Sequence, residues 1–251
     1  MTSAAWLAYF RRNARGPRAI PWEVGADLSA VERAAIEGSV RGFQRGESSE
    51  GRRLLRYAEA YARRTGDRDY LESMRLFIRE EQRHSRELAR FLILNSISLT
   101  AADSLDGVFR WMRHLGATLE IAIAVLISAE IIAQVYYAAL KAATQSGVLG
   151  ALCDVILRDE ARHVEFQSQQ LARLRASRSQ LLRRGTDAVQ RLLFAGTCMV
   201  VWLFHRRVFE RGGLRFAQYW REVWKAFRAA FASAADVTLW EETTAARRAA
   251  R

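Results

Sequence analysis

Residues 156–166, ILRDEARHVEF, set Asp159, Glu160 and His163 in the middle of a stretch that otherwise reads as a long helix. Residues 77–87, FIREEQRHSRE, repeat the arrangement with Glu80, Glu81 and His84. A Glu and a His three residues apart project from one helix face, so a single turn can offer an oxygen and a nitrogen to one metal ion. Around the second motif, Tyr70, Met74, Phe77, Glu81, His84, Leu88 and Phe91 follow one another by three or four. That is the spacing of one inward stripe, and it places Glu81 and His84 in the core.

Working outward, the chain reads as two helical hairpins. Ser29 and Glu32 have capping-box spacing and predict a helix from there to about residue 64, stopped by Thr65-Gly66-Asp67; a second helix runs to about residue 95. Residues 96–116 read as a long connection carrying one short helix. A third helix covers about 117–144, Gln145-Ser146-Gly147 turns the chain, and the fourth helix extends to about residue 175. Within 121–140 the only charge is Glu130, so this helix is either buried on all sides in a bundle or a bilayer span holding an ionisable residue. Metal coordination would account for the single charge and favours the bundle.

In an antiparallel hairpin, residues equidistant from the turn stand at the same height. By that rule Glu130 matches Glu160 and His163, and Glu50 matches Glu81 and His84. Glu47 lies one turn from Glu50 on the same face. The separation from Glu50 to Glu81 is 31 positions, against 30 from Glu130 to Glu160 and 34 from Glu47 to Glu81, which favours Glu50 as ligand and leaves Glu47 lining the site. Tyr57, Tyr61, Tyr136 and Tyr137 fall within two turns of these residues and are candidates to shape a substrate pocket.

One Glu from each of two helices and Glu-x-x-His from each of the other two resembles the dinuclear carboxylate site of the ferritin-like superfamily. The resemblance covers about residues 29–175. It implies an all-α, ferritin-like antiparallel four-helix bundle with a long crossover between helices 2 and 3. It also implies a centre of two iron ions, with manganese or a mixed iron/manganese pair as the variant. Glu81 and Glu160 would bridge, Glu50 and Glu130 would be terminal ligands, and His84 and His163 would each hold one metal. Glu80 and Asp159 match positions that orient the histidine across the site. The activity implied is a dioxygen-dependent oxidase or oxygenase acting on a small organic or acyl substrate, fed by an external electron donor. An iron-oxidising ferritin-like protein, a dimanganese catalase-like protein and a tRNA-modifying hydroxylase stay open as alternatives.

A chain of 251 residues, half of them apolar, can bury one sizeable core. The expected division is a loose basic arm over 1–28, the bundle over 29–176, and a C-terminal extension over 177–251 with helices at about 179–210 and 214–232 before a polar tail. Cys153 and Cys198 are the only cysteines and lie far apart, which excludes a disulfide framework and a cysteine metal site. With no secretory leader apparent, a cytoplasmic setting is expected. The net charge of +12, almost all arginine, favours an anionic partner; peripheral membrane contact or an acidic protein is expected, with nucleic acid ranked below them, and a homodimer is a further candidate. Residues 192–204 are apolar and too short for a bilayer span, so they read as a buried helix with Gly196 closely approached by a neighbour. On 214–232, Phe216, Tyr219, Trp220, Val223, Trp224, Phe227 and Phe231 form an apolar face opposite Arg215, Arg221, Lys225 and Arg228. Packing on the bundle or a second subunit is preferred there to membrane contact. His114 and His205 have no partner at metal-ligand spacing and read as structural or surface residues.

Overall fold

The computed structural model describes residues 1–16, 19–48, 51–100, 118–176 and 178–249, with side chains through residue 232. Among the described residues there is no strand. The helices are α1 (Ser3–Arg15), α2 (Ala30–Glu47), α3 (Arg52–Thr65), α4 (Arg68–Leu94), α5 (Leu119–Ala142), α6 (Gly147–Ala176), α7 (Gln180–Arg211) and α8 (Phe216–Ala249). The antiparallel bundle expected from sequence is made by α2 and α3 packed on α4, and by α5 packed on α6; α4 against α6 and α3 against α5 close it. The short helix expected in the crossover, and His114, lie outside the described residues.

Polar side chains fix where the helices begin. Ser29 and Glu32 form the capping box, and Glu32 Oε1 also accepts from the backbone N–H of Gln145 at 2.7 Å. Asp27 accepts from the Ser146 hydroxyl at 2.6 Å and from the Val148 N–H at 3.0 Å, so the turn into α6 is held by the residues that lead into α2. These bonds satisfy donors that a helix start leaves unpaired.

Three expectations are corrected. The first hairpin helix is not continuous to residue 64. It stops at Glu47 and restarts at Arg52, after Gly51 with φ +61°. Gly46, Ser48 and Gly51 around this break are weak helix formers. A Cβ on residue 51 would also collide with Ile78, so glycine serves both the turn and the close approach.

Second, the N-terminal arm is not loose. Trp6, Leu7 and Phe10 share a face of α1 and are buried, with the Trp6 ring 5.3 Å from that of Phe166 and its Nε1 donating to Gln169 Oε1 at 2.9 Å. Helical spacing of these apolar residues was the available signal.

Third, α7 is not buried around its girth. Phe194, Cys198, Val201, His205, Val208 and Phe209 face the bundle, whereas Leu192, Leu203 and Phe204 are exposed and Gly196 has no neighbour within 4 Å of an added Cβ. Apolar residues simply occupy both sides of this helix. The apolar face of α8 does pack, through Tyr219, Val223, Phe227 and Ala230, against α5 and α6, and its helix continues to Ala249 where a polar tail was expected.

His205 is a core residue, 1% exposed, with Nδ1 2.7 Å from the Ser39 hydroxyl, which stands 2.9 Å from the Tyr136 hydroxyl. Burial pushes its pKa down to about 4. The folded protein therefore keeps it neutral while the unfolded chain takes up a proton below about pH 6.5. Its contribution is intact at pH 7 and is lost as pH falls toward 4, by up to about 3 kcal/mol. Urea titrations at several pH values should show a smaller acid loss in His205→Gln than in the parent. Trp6→Ala should cost about 3–5 kcal/mol in the same measurement at neutral pH, as expected for emptying a filled aromatic site; a loose arm would lose almost nothing.

Candidate metal centre

Four helices bring six donor side chains to one layer of the bundle. α4 supplies Glu81 and His84, α6 supplies Glu160 and His163, α5 supplies Glu130, and Glu47 is the last residue of α2. His84, Glu160 and His163 are fully buried, Glu130 is nearly so, and the Glu81 side chain is 15% exposed. Single donor atoms of Glu47, Glu81, His84 and Glu160 lie within 4.8 Å of one another. The same holds for Glu81, Glu130, Glu160 and His163. The two quartets share Glu81 and Glu160, so two adjacent cations held there would have those two carboxylates in common.

The histidines are oriented from behind, each by the other motif. His84 Nε2 is 3.1 Å from Asp159 Oδ2, and His163 Nε2 is 3.0 Å from Glu80 Oε2. A carboxylate on Nε2 favours a proton there, which in a metal-holding site would leave the Nδ1 lone pair to face the layer. Against its burial, contacts with Glu130, Glu160, Glu80 and Glu81 hold the His163 imidazole well above the usual histidine range. Asn13 of α1 then ties the two acids together, its Nδ2 donating to Glu80 Oε1 at 2.6 Å and to Asp159 Oδ1 at 3.0 Å. Arg83 adds an ion pair to Asp159 at 2.6 Å. The His84 contact, with help from Asn13 and Arg83, holds the Asp159 carboxyl below the usual carboxylate range although burial opposes this.

The inward atoms are where partners run out. Glu81 Oε1, His84 Nδ1, Glu130 Oε1, both carboxylate oxygens of Glu160 and His163 Nδ1 are buried and make no hydrogen bond. His163 Nδ1 comes within 3.0 Å of Glu81 Oε1, without hydrogen-bond geometry. Burial, followed by the neighbouring charges of Glu81 and Glu130 respectively, pushes the Glu47 and Glu160 carboxyls up. Burial and then Glu130 do the same to Glu81. Glu130 goes the other way, because contacts with Glu160 and His163 outweigh its burial. Buried carboxylates left facing one another are costly, and two divalent cations would carry the charge that matches four of them. Arginine does not take that place from the two motifs themselves: Arg83 pairs with Asp159, and Arg162 turns out to Glu165. An all-oxygen and imidazole donor set fits iron or manganese.

Glu81, His84, Glu130, Glu160 and His163 converge, and Glu80 and Asp159 back the histidines. Glu50 lies outside the described residues. Glu47, expected only to line the site, stands among the converging donors and accepts from the Tyr137 hydroxyl at 2.9 Å. The hairpin count that preferred Glu50 assumed an unbroken first helix, and the break after Glu47 removes that premise. Glu130 sits in the core of a helix that has the length and hydropathy of a membrane span but is half buried by its neighbours.

A cavity of about 750 Å³ reaches Glu47, Glu81 and Glu130 between walls that include Phe77, Leu126 and Ile132. The four tyrosines do not line it: Tyr61 packs on Tyr70, Tyr136 stacks on Phe43 at 3.5 Å, Tyr137 bonds Glu47, and Tyr57 lies on α3. Asn13 went unnoticed in the sequence because nothing in local spacing links an N-terminal amide to acids 67 and 146 positions away.

No protein-family model and no curated protein matches the chain. Solved structures do. A variant of an R2-like ligand-binding oxidase with an aerobically reconstituted Mn/Fe cofactor aligns over 93% of this chain and 93% of its own, with a TM-score of 0.62 and 18% identity. A second variant, reconstituted anaerobically, aligns over the same shares with a TM-score of 0.60 and 17% identity. An R2-like ligand-binding oxidase after photoconversion gives 0.59 and 18%. The chain thus has the ferritin-like helical fold of R2-like ligand-binding oxidases, with a carboxylate and histidine cluster at its centre.

Proposed function

We propose that the protein is a dinuclear metal oxidoreductase, holding two iron ions or an iron/manganese pair, that couples dioxygen reduction to oxidation of an apolar acyl-type substrate. The observation that carries this reading is the convergence of buried donor atoms, on Glu81, His84, Glu130, Glu160 and His163, that have no hydrogen-bond partner. Glu47 and His84 would complete one position and Glu130 and His163 the other, with Glu81 and Glu160 common to both. Bound there, two redox-active ions supply electrons that dioxygen activation requires, and an external donor restores them.

The protein's own groups do the rest. Asp159 and Glu80 keep each imidazole proton on Nε2, so Nδ1 stays available. Tyr137 donates to Glu47 and fixes that carboxylate on the side facing the cavity. Phe77, Ile78, Leu126 and Ile132 present apolar surface beside the acids, which seats a hydrocarbon chain and keeps bulk water from the reacting atoms. The cavity wall is far more hydrocarbon than polar, and that supports an acyl substrate over a nucleotide or a sugar.

Metal analysis of natively purified protein should find two metals per chain, and Glu81→Ala, His84→Ala, Glu160→Ala and His163→Ala should each lower that number. A variant that keeps both metals removes its residue from the ligand set. Glu47→Ala should empty a position while Glu50→Ala leaves it filled; the reverse result would restore the hairpin count. Asp159→Asn should weaken metal affinity by about 10 to 100-fold, the usual range for loss of a group behind a ligand. Glu130→Leu should give soluble, helical protein with reduced metal. Mixing reduced, iron-loaded parent with air should consume dioxygen and give a transient visible band, and an inert loaded protein would refute the oxidase reading.

A further inference from the structure

α7 is apolar on two sides. While Phe194, Cys198, Val201 and His205 face the bundle, Leu192 on the other side is 74% exposed, Leu203 64%, Val189 58% and Phe204 50%. At the helical rise, the band from Leu181 to Phe204 is about 35 Å long. A continuous stripe of this kind is unlike single apolar residues scattered on a surface and marks a contact site.

Charge frames the band. Arg183 and Arg184 are exposed at one end, Arg206 and Arg207 at the other, in a chain of net charge +12. The helix has the length and hydropathy of a membrane span. Its inner side, however, is committed to α5 and α2, and its His205 is bonded to Ser39, so the helix cannot leave the bundle to cross a bilayer. Lying in the plane of the interface, apolar side down and arginines among headgroups, satisfies both sides at once.

The cavity gives an independent reason. From Glu47, Glu81 and Glu130 it extends to Leu181, Leu182, Gly185, Val189 and Leu193. Those five are themselves exposed, so the mouth opens in the first half of the band.

We propose that the exposed face of α7 docks on a bilayer containing anionic lipid, and that the cavity opens into the lipid phase, so that an acyl chain reaches the acids without passing through water. A second copy of the chain suits this face less well. It would close the mouth and bring arginine clusters of like sign together. The docking stands on the exposed band and its charges; the passage of a substrate rests on the function proposed above.

Flotation of the full-length protein with vesicles tests the docking without reference to turnover. Binding is expected to vesicles of phosphatidylcholine with about one third phosphatidylglycerol, to be much weaker with phosphatidylcholine alone, and to fall when salt shortens the Debye length from about 10 to about 3 Å. Leu192 and Leu203 are not in the cavity wall. The double variant Leu192→Glu/Leu203→Glu should therefore lose vesicle binding at least about tenfold, a free-energy change of about 1.4 kcal/mol, with unchanged helicity and metal content. Binding that persists in the double variant, or a parent that ignores anionic vesicles, overturns the proposal. A parent dimer that the double substitution splits, with no response to vesicles, assigns the face to a second copy instead. If vesicles bind as expected but the loaded protein consumes no dioxygen, the docking holds and the oxidase reading fails.

Discussion

Four carboxylates in one buried layer are the constraint to which the rest of the molecule answers. Glu47, Glu81, Glu130 and Glu160 arrive from different helices with hydrocarbon above and below them. Left to themselves they repel and take up protons, as the raised carboxyl groups of Glu47 and Glu160 express. The surrounding structure does not relieve this from within. It spends its hydrogen bonds behind the layer, on Glu80, Asp159 and the outer imidazole nitrogens, and leaves the inner atoms pointing at one another. A bundle that merely needed stability would have had apolar residues at these positions.

Much of this was legible in the sequence because helix periodicity and ligand geometry coincide. Glu81-x-x-His84 and Glu160-x-x-His163 declare a shared face within one turn, and the single charge of residues 121–140 marks Glu130 without further help. What stayed illegible involves places where the chain departs from a straight helix or where distant segments meet. The choice between Glu47 and Glu50 depended on an unbroken helix, and α2 stops at Glu47 with α3 starting only after Gly51 in the left-handed region. The tyrosines were near in sequence but turned elsewhere, Tyr136 onto Phe43 and Tyr137 onto Glu47, because apolar contact and one strong acceptor outcompete a solvent-lined wall.

The C-terminal helices illustrate a second limit. The sequence marked α7 as a helix to be buried and α8 as one with a single apolar face, both rich in apolar residues and arginine. Only the packing tells them apart: α8 inserts its face between α5 and α6, and α7 keeps a hydrocarbon stripe in reserve beside the cavity mouth. Hydrophobicity therefore measured how much surface each helix had to hide, and neighbours decided where it would be hidden.

Asn13 joins parts of the chain that are far apart. Its amide holds Glu80, 67 positions on, and Asp159, 146 positions on, so the tie between the two acids behind the histidines exists only where α1, α4 and α6 meet. Trp6 and Phe10 seat α1 beside Phe166 of α6, so ordinary aromatic packing at one end of that helix fixes the place of a polar brace at its other end. Emptying the aromatic seat would slacken both histidines at once without touching either.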